Sequence, residues 1–263
     1  MDGQGLDESV RRELVVLARE EPDRQLLQVA SLVSAHQYRG LHAAVRRVLA
    51  PGAHVLDWGA GNGHFSYFLL RSGFRATGYR LEPPVASDWL TPLGWSFVQG
   101  NPDEPTRLPF DDDAFDAVAS IGVLEHVHET GGRDRDSLAE LVRVVRPGGF
   151  FICCHLPNQT SWIEALTNRL RGVHHHDVRY RNEDVRALLA ESGLEPVELR
   201  QYGFLPRNFW SRLPAWLADS PAVTALWDLA DDALTRAFPQ WTQNHLVIAR
   251  LPEAGGPRSA PAL

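Results

Sequence analysis

The sequence predicts a doubly wound α/β protein with a seven-stranded sheet, on three observations. First, the stretch Val55-Leu56-Asp57-Trp58-Gly59-Ala60-Gly61-Asn62-Gly63-His64-Phe65-Ser66 ends an apolar run, passes through three alternate glycines and opens an apolar-periodic helix. Strand, glycine turn and helix form the first unit of such a sheet, and ligands sit at the carboxyl ends of its strands. Second, short apolar runs alternate with helical patterns from residue 53 to residue 202. Third, Phe150 to His155 is almost uninterrupted in its apolar character, as a central parallel strand buried on both faces requires.

The elements follow in order. Residues 1–7 read as loose. Glu8 to Arg19 carries a helical stripe of Val10, Leu14, Val15, Leu17 and Ala18. Asp23 is a candidate cap for a second helix with Leu26, Leu27, Ala30 and Val33 inward. Tyr38 to Leu49 is a third helix, stopped by Pro51-Gly52. Residues 1–50 thus form a helical cover. Strands are expected at Ala53–Asp57, Phe74–Tyr79, Trp95–Val98, Phe115–Ile121, Phe150–His155, Glu195–Tyr202 and Asn244–Leu251. Helices follow the first strand to about Ser72, then span Ser137–Val145 and Glu183–Ser192. The core is therefore 51–202 plus 244–251, interrupted by a helical, aromatic-rich cap insert at 203–243. Residues 252–263, rich in Pro, Gly and Ala, read as a disordered tail.

Charge narrows the ligand. A dinucleotide site offers helix-start amides to a pyrophosphate, but Asp57 stands directly before Gly59, Gly61 and Gly63. A carboxylate there repels phosphate and suits an ammonium or a sulfonium. This stretch resembles motif I of the class I S-adenosylmethionine-dependent methyltransferases. Leu108-Pro109-Phe110-Asp111-Asp112-Asp113-Ala114-Phe115-Asp116-Ala117-Val118 resembles the LPF-x-D-x-x-FD-x-V segment of the small-molecule members related to ubiquinone and menaquinone biosynthesis. Leu124-Glu125-His126 matches their LEH, and Arg146-Pro147-Gly148-Gly149 their turn into the fifth strand.

The resemblance covers roughly residues 36–200 and the last strand. It implies a Rossmann-like class I methyltransferase fold, S-adenosylmethionine as cofactor, and a small-molecule acceptor methylated by in-line displacement. Carried over residue by residue, it implies cofactor contacts from Asp57, Gly59, Ala60, Gly61, Asn62, Gly63 and Gly122. It also brings one departure. The family ends its second strand with an acid that accepts both ribose hydroxyls, whereas Arg80 stands here and Glu82 is the nearest carboxylate. Either Glu82 serves, the ribose is held otherwise, or Arg80 faces something negative. Asn101 stands where the family holds the adenine amino group, with Asp103 nearby.

His126 and His155, at strand exits, are the candidate general bases, since histidine titrates near neutrality. The run His174-His175-His176-Asp177 invites a metal, but consecutive histidines do not share one face. It is read as a polar lid, and no metal is assigned. The insert holds four of the eight tryptophans. They fit a pocket wall for an apolar substrate, or packing for a cap or a homodimer contact.

Two other readings follow from the same residues. One is an enzyme of this fold using a modified donor for other chemistry, motivated by Arg80. The other is a non-catalytic partner protein. Composition sets further bounds. The net charge of −7, with all 26 basic residues arginine, disfavours a nucleic-acid partner. No apolar window reaches membrane-spanning length. Cys153 and Cys154 are adjacent, would point to opposite faces of a strand, and read as buried thiols of a cytoplasmic protein.

Overall fold

The computed structural model describes residues 3–82, 88–167 and 176–253. The chain begins with helix α1 (Gly3–Glu20), then α2 (Leu32–Ala35) and α3 (Arg39–Val48). The first βα unit is β1 (His54–Trp58), α4 (His64–Arg71) and β2 (Arg75–Arg80). Then come β3 (Ser96–Gln99), β4 (Phe115–Ile121), α5 (Asp134–Val144) and β5 (Val145–Pro157). The remainder is α6 (Trp162–Thr167), α7 (Asn182–Glu191), β6 (Glu195–Tyr202), α8 (Ala215–Ala218), α9 (Pro221–Ala237) and β7 (Asn244–Arg250).

The seven strands form one sheet in the order β3-β2-β1-β4-β5-β7-β6. All pairs are parallel except those of β7, which runs antiparallel to β5 and β6. The order reverses between β1 and β4, where Leu56 lies beside Val118 and Asp57 beside Ala119. A crevice opens beyond the carboxyl ends of strands at such a reversal. The loops after β1, β2 and β4 therefore meet there.

Two cores flank the sheet. On one face Val10, Leu14, Leu41 and Val45 from the leading helices pack on Val55, Phe68, Ala117 and Ile152. On the other, Leu138, Leu141, Val185 and Leu189 pack on Leu56, Val118 and Phe151. Cys154 belongs to the first core and Cys153 to the second. Both are free thiols, as their alternation along β5 requires. Among the described residues no helix is long and apolar enough to cross a membrane.

Several expectations about elements change. Residues 3–7 are helical, because Asp7 is buried and ion-paired with Arg46 of α3. The stretch 23–35 is not one helix. Gln25 takes a left-handed φ of 51°, and Ser31 is extended, capping the short α2 through its hydroxyl. Two 3₁₀ turns, Pro22–Arg24 and Leu27–Val29, fill the interval. β5 begins at Val145, just before the Arg-Pro-Gly-Gly turn and five residues before Phe150. Of the segment expected as a tail, 254–263 lies outside the described residues.

The insert and the leading helices are tied together by buried charge. Arg207 donates to Asp231 at 3.1 Å and to the Val33 carbonyl at 3.1 Å, and it pairs with Asp228 at 2.7 Å. His36 bridges Asp228 at 2.8 Å and Glu8 at 2.9 Å. These contacts dock the insert against the leading helices.

Candidate active site

Asp57, the penultimate residue of β1, is buried and accepts from the Ser66 hydroxyl at 2.6 Å. The Trp95 indole N–H donates to the same hydroxyl at 3.0 Å, which fixes it. Burial pushes Asp57 up to about 6, against the Ser66 hydrogen bonds that lower it. The glycine turn then folds back on β2, with the Gly59 and Ala60 amides donating to the Tyr79 carbonyl at 2.8 and 3.1 Å. Gly61, at φ 52°, faces open space: a Cβ there would meet nothing nearer than the Gly59 carbonyl at 3.9 Å. This is a bare backbone cradle of the kind a close-approaching ligand needs. Asn62 turns away and donates to the Gln25 carbonyl at 3.2 Å. At Gly63 the contact is structural, because a Cβ would strike Leu90 at 2.3 Å.

Arg80 lies across this turn, donating to the Gly61 carbonyl at 3.4 Å and to Glu82 at 3.1 Å. The end of β2 thus presents a guanidinium with a carboxylate beyond it. Asn101 and Asp103 are exposed, and the Asn101 side-chain oxygen Oδ1 accepts from the Asp103 backbone N–H at 3.0 Å.

Two cavities meet at His126. The first, of about 200 Å³, is walled by Trp58, Gly59, Arg80, Glu82, Val123 and His126. The second, of about 290 Å³, is walled by Tyr38, His64, Gly122, Glu125, His126, His155 and His176, and roofed by Arg207 and Asn208 of the insert. The structure thus gathers Gly59, Arg80, Glu82 and His126 in one cavity, and Gly122, His126 and His155 in the other. Asn101 and Asp103 line neither. The insert's tryptophans do not line the second cavity either, which corrects the expectation of an aromatic pocket wall. Trp210 and Trp227 pack edge to face, 4.9 Å apart, against Val33 and Ala218, while Trp216 is 77% exposed. Leu205, Arg207, Asn208 and Asp231 face the cavity instead.

His155 is aimed inward by an irregularity. The β5–β7 register shifts between Cys153 and Leu156, and His155 takes a φ of 62°. A bulge re-aims a side chain in this way. The Tyr202 hydroxyl, at the end of β6, contacts Nδ1 at 3.0 Å. Nε2 is buried with no hydrogen-bond partner. Burial, with His64 and His176 nearby, drives His155 down to about 3, so it stays neutral across the range in which a general base would titrate. His64, also buried, is held down to about 4. Glu125 lies at the cavity floor with Oε2 unpartnered, and burial lifts it to about 7.

Tyr38, His64 and Tyr202 join the site without having been singled out for it, while His176 joins it from the run read as a polar lid, of which His174 and His175 lie outside the described residues. His64 directly follows the glycine triplet, so its position was visible there. Tyr202 comes from the far edge of the sheet and carries no local sign.

A methyltransferase domain model matches residues 56–153, the span from β1 through β5 that carries both cavities' floors. An uncharacterized methyltransferase of Mycolicibacterium paratuberculosis is 31% identical over 202 residues, covering 73% of this chain and 68% of that protein. The chain belongs to the methyltransferase family. Demethylmenaquinone methyltransferase of Tropheryma whipplei is 28% identical over 148 residues, or 54% of this chain. The chain spans about half the length of that relative, 56%. Among solved structures, one of a methyltransferase in complex with the Haloferax volcanii Trm112 activator superposes with a TM-score of 0.58 at 19% identity. It covers 84% of this chain and 92% of that one, and it carries the fold alone. S-adenosylmethionine is the cofactor of this family, and the open Gly61 turn beside a buried carboxylate fits it.

Proposed function

We propose that the chain transfers a methyl group from S-adenosylmethionine to a small polar acceptor. The observation that carries this reading is the pair of cavities joined at His126, one on the glycine turn and one walled by histidines. Bound on the turn, S-adenosylmethionine supplies a methyl group already activated on a sulfonium. Asp57, Gly59, Ala60 and Gly61 would hold its amino-acid end, and Arg80 and Glu82 the sugar.

The chain's own residues supply position and dryness, which is most of what such a displacement needs. Arg207, Asn208 and the cover helices exclude water from the second cavity. Gly122 leaves room between His155 and Glu125, the nearest atoms a Cβ there would meet, at 3.8 and 3.9 Å. His155, neutral, orients an acceptor through Nε2. His126, at the junction, receives the proton of an acceptor hydroxyl. The polar walls support a polar acceptor over the apolar one an aromatic wall would have implied. Free Cys153 and Cys154 support a cytoplasmic setting.

The test is thermal unfolding with S-adenosylmethionine and S-adenosylhomocysteine, followed by transfer from methyl-labelled donor to polar hydroxylated acceptors. Ligand at 100 times its Kd adds about 2.7 kcal/mol, a rise of several degrees for a domain of this size. No rise with either ligand defeats the reading.

Arg80 favours a second reading, in which the donor carries an additional carboxylate that the guanidinium meets. Far tighter binding of a carboxylated donor than of the ordinary one, abolished in Arg80→Ala, would establish it. Equal or weaker binding removes it.

A further inference from the structure

At the floor of the histidine-walled cavity three side chains converge from two parts of the chain. Glu125 and His126 follow β4, and His176 follows α6. One carboxylate oxygen and one nitrogen of each ring all lie within 4.8 Å of one another. Each ring has its Nδ1 engaged by a further carboxylate: His126 by Glu129 at 2.7 Å and His176 by Glu164 at 2.8 Å. That outer pairing favours the tautomer whose Nε2 carries the lone pair, as carboxylates behind metal-binding histidines do. The Nε2 of His126 is 3.9 Å from Glu125. Glu125 itself is buried, and its Oε2 has no hydrogen-bond partner. Three carboxylates against two imidazoles make the cluster attractive to a cation.

We propose that Glu125, His126 and His176 bind one first-row divalent transition-metal ion, with its open positions facing the cavity. Two histidines and one carboxylate suit zinc, iron, cobalt or manganese and not magnesium or calcium, which prefer all-oxygen shells. Bonds of about 2.1 Å place ligand atoms about 3.4 Å apart, so the cluster closes with side-chain shifts of little more than 1 Å. Glu129 and Glu164 act as positioning residues. An ion here would also take over from His126 the task of lowering an acceptor hydroxyl's hold on its proton. The site does not depend on methyl transfer, and its test does not use it.

The experiment is titration of the metal-stripped chain with Co²⁺, read by visible absorption, and with Zn²⁺, read by calorimetry. One ion per chain is expected, with cobalt bands of a nitrogen–oxygen shell and a rise in Tm. His176→Ala and Glu125→Gln, each checked for native circular dichroism, should lose at least 10-fold in affinity. Glu164→Gln should lose 10-fold or more while retaining the stoichiometry. Absence of saturable binding overturns the proposal. So does binding that survives His176→Ala and Glu125→Gln but disappears when His174 and His175 are both replaced.

Discussion

The Tyr202 hydroxyl holds His155 at two points, accepting its backbone N–H at 3.0 Å and meeting its ring Nδ1 at 3.0 Å. A residue at the far edge of the sheet thereby fixes both the main chain and the imidazole at the cavity wall. Tyr202→Phe removes one hydroxyl and takes a partner from three groups, the His155 N–H, its Nδ1 and the Cys154 thiol at 2.9 Å. It is expected to cost about 1–3 kcal/mol in urea unfolding. Methyl transfer should fall mainly in kcat, while calorimetric affinity for S-adenosylmethionine stays near wild type. An unchanged kcat in the folded variant would remove His155 from the orienting role.

Asp57 is placed at a cost in stability. Its pKa is raised to about 6 by burial, against the Ser66 hydrogen bonds. For a carboxyl raised above its unfolded value, the folded state prefers the neutral form. The contribution to stability is present below about 4 and is lost as pH rises through about 6. Asp57→Asn removes that loss, so at pH 7 the variant should melt at or above the wild-type Tm. It should also lose most of its affinity for S-adenosylmethionine, because the carboxylate facing the cationic ligand is gone. A variant that melts well below wild type at pH 7 and at wild-type Tm at pH 4 would reverse the sign.

Much of this was readable from residue pattern, and the reasons differ by element. β4 and β6 fall at Phe115–Ile121 and Glu195–Tyr202 as expected, because strong local signals bound them. The glycine turn was legible for the same reason. The stretch 23–35 was not, because Gln25 and Ser31 leave helical geometry despite the apolar spacing around them. The tryptophans of the insert misled for a different reason. Their composition announces burial but not direction, and buried Trp210 with half-buried Trp227 packs on Val33 of the cover while Arg207 and Asn208 face the cavity. Glu125 and His176 come together only because Tyr180 bridges to Asn158 and returns the chain to the end of β5. No spacing in the sequence encodes that return.

Arg207 sits between Asp228 and Asp231 with its side chain only 4% exposed. Replacing it with leucine leaves Asp231, itself buried, without its nearest cation. The expected loss is about 3–5 kcal/mol. The double variant Arg207→Leu/Asp231→Leu should recover much of that loss, since the unpaired charge and not the missing pair is what destabilises. Guanidinium unfolding of the two variants decides this. Equal losses in both would mean that the cover and insert are held by packing of Val33 and Trp210 and not by this charge.

Glu8 offers the matching test on the acid side. Burial alone would raise its pKa, but the hydrogen bond from His36 and the charges of His36, Arg11 and Arg12 outweigh it and hold the group at about 2. A depressed carboxyl contributes stability that is present above its unfolded value, near 4.5, and lost as pH falls towards about 2. Glu8→Gln should therefore melt below wild type at pH 7. The gap should narrow between pH 4.5 and pH 3 as the wild type loses what the variant never had. Differential scanning calorimetry of both proteins at pH 7, 4.5 and 3 measures it. A gap that is constant across this range would assign the effect of Glu8 to packing, and would leave the link from α1 through His36 to Asp228 without electrostatic weight.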